Sequence, residues 1–152
     1  DVFFATAAEL NAGWRKGDYS AKELAEGFLG RLEKTGPALN ALAASLRKQA
    51  LDQAKEVDGE RKRERFRGRL QGVPFGAKDL LAWPGAPTTW GAKPFADQSF
   101  AQPATVLKKL KGAGAVLIGK LAMIELAGGP SYRWAKASHT GPCLNPWNRT
   151  HW

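Results

Sequence analysis

The chain has 152 residues, 43% of them hydrophobic and 24% charged, with a formal net charge of +9. That length sets one domain at most, or part of a larger one, and the composition is that of an ordinary globular protein. The longest apolar runs, Val116-Leu117-Ile118 and residues 121–127, are too short to span a membrane, and a single cysteine, Cys143, excludes an intrachain disulfide and argues against a cysteine-built metal site.

The chain opens on Asp1-Val2-Phe3-Phe4, which carries no basic region ahead of an apolar one. No signal peptide is therefore visible, and a cytoplasmic protein is expected. The lack of an initiator Met implies that Asp1 is not the natural start. Thr6-Ala7-Ala8-Glu9 and Ser20-Ala21-Lys22-Glu23 both read as capping boxes, in which a hydroxyl and a glutamate satisfy each other's free backbone amides. They predict a helix over 7–15 that stops near Gly17, and a second that stops at Gly36-Pro37. The second carries Leu24, Phe28, Leu29 and Leu32 on one face, the spacing of a helix lying on a core.

Residues 40–44 are short and ambiguous, with a strand as one reading. From Leu46 to Arg65 the composition favours helix, and Asp58-Gly59 is expected to interrupt it as a loop. The basic run over 61–69 reads as a solvated helix end whose cations face a C-terminal dipole. Gly72-Val73-Pro74-Phe75-Gly76-Ala77-Lys78 predicts a short strand, and a loop rich in proline and glycine follows. A helix is predicted over 103–111 with Pro103 near its first turn, then a buried strand over 115–119, then a short helix over 121–126 stopping at Gly128-Gly129. Strand, helix and strand in that order argue for an α/β sheet built by crossover units.

Lys78 is the residue that chemistry singles out. It follows an apolar stretch and is flanked by small residues, so backbone could wall in its stem; desolvation then lowers a lysine pKa and makes the amine a base. The plain alternative is a strand-end lysine paired with Asp79 or reaching solvent, and physics alone favours it.

The motifs around Lys78 reverse that balance. Residues 72–79 resemble the amidase-signature segment in which a Gly-hydrophobic-Pro run leads to a catalytic lysine with an acidic neighbour. Thr88-Thr89 and Gly91 match that family's Pro-Thr-Thr-x-Gly loop. Ala104-Thr105-Val106, Leu110, residues 112–115, Ile118-Gly119-Lys120 and Glu125 match the elements that follow, and Gly141-Pro142 with Asn145-Pro146-Trp147 match the segment before its nucleophile loop. The ordered match runs from Leu70 to Trp152, and the two capped helices fit the family's usual lead-in.

The resemblance implies the N-terminal part of the amidase-signature fold, a mixed β-sheet flanked by helices, incomplete in this chain. One partial domain is expected over 1–152, with residues 1–67 a helical lead-in and 68–152 the start of the α/β core. It further implies a hydrolase of carboxylic amides in which Lys78 is the base of a Ser-cisSer-Lys triad: one serine relays a proton to the lysine and the second attacks the carbonyl. Leu126, Ala127, Gly128 and Gly129 are expected to line the acyl pocket, because glycines let main chain approach a ligand closely. No cofactor or metal is implied.

The Gly-Gly-Ser-Ser tract of the family is not among the 152 residues, which run through Asn148, Arg149, Thr150, His151 and Trp152 after the last matched motif. Truncation is the simplest account, so the partners expected are a small-molecule amide and the remainder of the amidase domain, and the isolated chain is expected to be inactive. Ser131, Ser138 and Cys143 match no family nucleophile, and His139 and His151 are too isolated for a metal site. Tyr132, Trp134, Trp147 and Trp152 read as packing, and Arg133 is assigned no role. Two alternatives stand beside a free-standing amidase: the amidase subunit of a glutamyl-tRNA amidotransferase, toward which the positive charge leans, and a non-catalytic nucleic-acid-binding module built on residues 61–69. The latter lacks interleaved aromatics and any RNA- or DNA-binding signature, so nucleic acid is not the expected partner.

Overall fold

A computed structural model describes residues 1–128, 133, 134 and 136–152. Helix α1 spans Ala7–Lys16 and α2 spans Ala21–Thr35. Both predicted capping boxes form: the Glu9 amide donates to Thr6 Oγ1 at 3.2 Å while the Thr6 amide donates to the Glu9 carboxylate at 2.7 Å, and Ser20 and Glu23 repeat the exchange at 3.0 and 2.7 Å. Gly17 ends α1 in the left-handed conformation, at φ 88°.

Strand β1 covers Leu42–Ser45, and helix α3 runs from Arg47 to Lys62. The break expected at Asp58-Gly59 does not occur. The Asp58 side chain is occupied elsewhere: its carboxylate accepts from Trp14 Nε1 at 3.0 Å, from the Ala21 amide at 2.8 Å and from the Lys22 amide at 3.1 Å. It therefore caps α2 instead of competing with its own backbone. Ala50, Ala54 and Val57 bury one face of α3, and that packing outweighs the ~1 kcal/mol cost of a helical glycine.

Strand β2 is Pro74–Lys78, helix α4 is Thr105–Gly112 and strand β3 is Val116–Leu121. Helix α4 starts two residues after Pro103, with Ala104 at its N-cap, so the proline precedes the first turn. The sheet order is β1-β3-β2, with β1 antiparallel and β2 parallel to the central β3. It thus takes one strand from before residue 67 and two from after it. On one face Val116 and Ile118 pack with Trp14, Ala25, Leu29 and Ala54 of the three N-terminal helices. On the other, Leu117 and Ala77 pack with Leu46, Trp83, Ala86 and Leu107.

The predicted helix over 121–126 does not form. Leu121 is the last residue of β3, paired with both Leu42 and Lys78, and a single tight turn, Glu125–Ala127, stands where the end of that helix was expected. Leu126 and Ala127 adopt left-handed φ values of 52° and 67°, which no α-helix accommodates. Tertiary hydrogen bonds hold them there: the Leu126 amide donates to Trp90 O at 2.8 Å and the Glu125 amide to Ala137 O at 2.8 Å.

The basic run is also not a merely solvated helix end. Arg61 donates to the carbonyls of Trp14 and Tyr19. Arg67 forks onto Glu60 at 2.6 and 2.7 Å, reaches Glu56 at 2.7 Å and donates to Lys111 O at 3.2 Å. These two cations tie helices and loops together, and the charge left for an external anion is reduced accordingly. Among the described residues no helix is long and apolar enough to cross a membrane.

Candidate active site

Lys78 is the last residue of β2, where the parallel pair opens into loops. The carboxyl ends of parallel strands are where α/β sheets usually place ligands. Its side chain is exposed and not walled in by backbone, contrary to the expectation from its small neighbours. Ala77 is buried on the opposite face of the strand, and that alternation sends Lys78 outward. A cavity of about 230 Å³ lies beside it, lined by Lys78, residues 122–124, Ser138, Cys143 and Trp152. The Ser138 hydroxyl is bonded to Met123 O at 2.9 Å and to Thr140 Oγ1 at 3.1 Å.

Asp79, the next residue, does not pair with Lys78. It is 1% exposed and its carboxylate is a hub. One oxygen accepts from the amide and the hydroxyl of Thr89; the other accepts from Lys120 Nζ at 2.8 Å. Lys120 is fully buried, and its ammonium also donates to Pro87 O at 3.2 Å and to Thr88 Oγ1 at 3.1 Å. All three donors of the ammonium are thereby used, as a buried cation requires.

A bulge brings this pair about. Phe75 lies opposite Leu117 and Gly76 opposite Gly119, so Ile118 is the extra residue on β3. Ile118 packs against the N-terminal helices, and a Cβ on Gly119 would stand 3.0 Å from Leu32 Cδ2 of α2, so the two successive residues face the same side. The phase of the strand is shifted by one, and Lys120 falls opposite Ala77 on the face of Asp79. Without the bulge its ammonium would point into the apolar helix layer.

The loop after β2 is held by the same group of contacts. The Asp79 amide donates to Leu121 O at 2.9 Å, and the Trp90 amide donates to Asp79 O at 3.3 Å. Gly91 passes so close to the segment after β3 that a Cβ there would lie 2.5 Å from Met123 O, and its φ of +69° favours glycine as well. The Pro-Thr-Thr-x-Gly motif thus braces the floor of the Lys78 cavity from beneath.

Leu126, Ala127 and Gly128 lie one residue beyond the wall formed by residues 122–124 but are not among the residues lining the 230 Å³ cavity. Leu126 is exposed, and Gly128 has φ 138°. Gly129, Ser131 and Tyr132 lie outside the described residues. Trp147 and Trp152 are exposed, as is Cys143. A larger cavity of about 590 Å³ lies away from Lys78, among Gln49, Trp83, Pro103, Lys108 and Lys111. Among the described residues no three His, Cys, Asp or Glu side chains are grouped to hold a metal ion.

Sequence reasoning singled out Lys78 and matched Asp79, Thr88, Thr89 and Lys120 to a pattern, yet missed that these last four form one buried cluster. The available signal was Lys120 itself: a lysine two residues beyond the apolar run Val116-Leu117-Ile118, still inside the same strand, must carry a buried partner if that strand is central.

Comparison with known proteins bears on the fold and the family. The Amidase family model matches residues 23–152. A glutamyl-tRNA(Gln) amidotransferase subunit of Methylococcus capsulatus is 39% identical over 145 residues, covering 94% of this chain and 29% of that protein. An acylamidase of Rhodococcus erythropolis is 34% identical over 148 residues, covering 97% of this chain and 30% of that protein. The crystal structure of the peptide amidase of Stenotrophomonas maltophilia superposes with a TM-score of 0.85 at 30% identity, covering 98% of this chain and 31% of that one. The chain spans about 30% of the length of these relatives, and, with the family model matched over most of its residues, it belongs to the amidase family.

Proposed function

We propose that these residues form the base-bearing part of an enzyme that hydrolyses carboxylic amides. The observation that carries this reading is the position of Lys78: an amine with no partner among the described residues, at the carboxyl end of a parallel strand, facing a cavity, with its neighbouring acid already paired to another lysine. An amine in that place can take the proton of an attacking hydroxyl and return it to the leaving amine. The hydroxyl belongs to a serine pair supplied by sequence outside these 152 residues. Packing of that sequence over the cavity removes water from Lys78, and this is the step that turns an exposed ammonium into a base. Leu126, Ala127, Gly128 and Gly129 form one side of the acyl-binding surface in this reading, since their segment continues the chain beyond the cavity wall at residues 122–124. Residues 1–152 act as a single partial domain, and the protein works in the cytoplasm without a metal or cofactor.

The test uses the full-length protein that contains this chain. Lys78→Ala is expected to lower kcat on amide substrates by at least about 10²–10⁴-fold, the range of a lost general base, with an unchanged circular-dichroism spectrum. Activity within a few-fold of the parent sinks the reading. A second reading, one component of a multi-subunit amidotransferase, is favoured by the 39% identity to the Methylococcus capsulatus protein. Under it, amide hydrolysis depends on partner subunits; a free-standing amidase works alone.

A further inference from the structure

We propose that the buried Lys120–Asp79 pair is the positioning device that aims Lys78. This rests on the reading of Lys78 as the base, and it goes beyond it by assigning a task to residues that touch no substrate.

Lys78 has no orienting hydrogen bond from its own ammonium among the described residues, so its direction is set by its backbone. That backbone is gripped on both sides. On the sheet side Lys78 pairs with Leu121 of β3. On the loop side Asp79 is anchored by its amide to Leu121 O, by its carbonyl to Trp90 N, and by both carboxylate oxygens. Lys120 joins three parts that lie next to Lys78 and the cavity wall: the central strand that carries it, which runs on into residues 122–124, the end of β2 through Asp79, and the loop through Pro87 O and Thr88 Oγ1. The loop in turn supports the segment after β3, since Trp90 O accepts from the Leu126 amide at 2.8 Å. One ammonium, with three acceptors from two different segments, thus fixes the relation between base and cavity wall.

A purely stabilising role for the pair is the competing account, and the two differ in what a charge-free replacement does. A buried ion pair is often replaceable by apolar side chains with little loss of stability. If stability is its whole task, such a replacement leaves catalysis intact. If it positions Lys78, the loss of directed bonds lets the strand end and loop shift, and a misplacement near 1 Å costs on the order of 10²-fold in rate.

The experiment is a set of variants in the full-length protein: Lys120→Met, Asp79→Leu and the double variant, each measured for thermal midpoint, kcat, KM and the pH profile of kcat. Either single variant strands a buried charge and is expected to fold poorly. The double variant is expected to melt near the parent, keep KM within a few-fold and lose roughly 10²-fold in kcat, with a shifted acidic limb in its pH profile, the limb that an essential base controls. A folded double variant with parental kcat and pH profile overturns the proposal. If the double variant fails to fold, Thr88→Val in the intact pair takes its place. It removes one acceptor of the ammonium, and an unchanged kcat at unchanged stability counts against positioning in the same way. Lys78→Ala separates this from the underlying reading: a still-active Lys78→Ala enzyme removes the base itself, whereas an inactive one alongside a fully active double variant removes only the positioning role.

Discussion

At the scale of single residues, two adjacent side chains divide the work by strand alternation. Lys78 faces outward and has no side-chain partner among the described residues, while Asp79 faces inward and is consumed by Lys120 and Thr89. A second buried acid, Glu60, is 2% exposed and takes two hydrogen bonds from the Arg67 guanidinium and one from Gln71. The Arg67 hydrogen bonds hold the Glu60 carboxyl below the usual glutamate range; burial opposes this, and the charges of Arg67 and Arg65 add to it. A carboxyl whose pKa is lower in the folded state than in the unfolded one stabilises the fold above its unfolded value of about 4.3. That contribution is lost as pH falls through the folded value. Urea midpoints are therefore expected to fall on acidification below about pH 5, and Glu60→Gln should flatten that limb while lowering the midpoint at neutral pH. A Glu60→Gln protein whose pH dependence matches the parent would contradict the assignment.

At the scale of elements, helix α2 is fastened at its N-terminus from two directions. Ser20 and Glu23 form the local box, and Asp58 of α3 accepts from the Ala21 and Lys22 amides. Because Asp58 still covers the first two amides, Ser20→Ala should cost about 1 kcal/mol and not the upper end of the capping range. The check is a shifted denaturant midpoint at constant slope. A loss several times larger would mean that the box also organises the chain before it. The failed helix after β3 teaches the complementary point. Its residues have helical composition, but the Leu126 and Glu125 amides are claimed by Trp90 O and Ala137 O, and long-range bonds override propensity.

At the scale of the whole molecule, the strands β1 to β3 and the helices α1 to α4 build one mixed sheet covered on both faces, with surface left open. Trp147 is 91% exposed, Trp134 67%, Trp152 63% and Leu126 61%. Strands β1 and β2 are the sheet's outer strands, each with one unpaired edge among the described residues. Apolar side chains and open edges at this density are the marks of a surface that other protein covers. The 152-residue chain is expected to bind an apolar fluorescent dye and to associate as its concentration rises. A monomeric, cooperatively unfolding chain with no dye binding would argue against it, and the full-length protein should lose the signal.

Much of this was legible in the sequence wherever the deciding interaction is local. Thr6 with Glu9 and Ser20 with Glu23 lie three residues apart, Gly17 supplies its own left-handed turn, and the apolar runs around Phe75 and Leu117 are strands by composition; each of these elements forms as expected. The ordered motifs from Gly72 to Trp147 were enough to place the chain in its family and to single out Lys78. What they did not decide involves partners far apart in the chain. Asp58 continues α3 because it caps a helix 37 residues away, and Arg61 reaches Tyr19 across 42. Lys120 meets Asp79 across 41 residues, and only because a bulge at Ile118 turns the strand by one position. Residue order determines propensity, caps and motif; which buried charge finds which partner depends on strand register, and register exists only once the sheet has assembled.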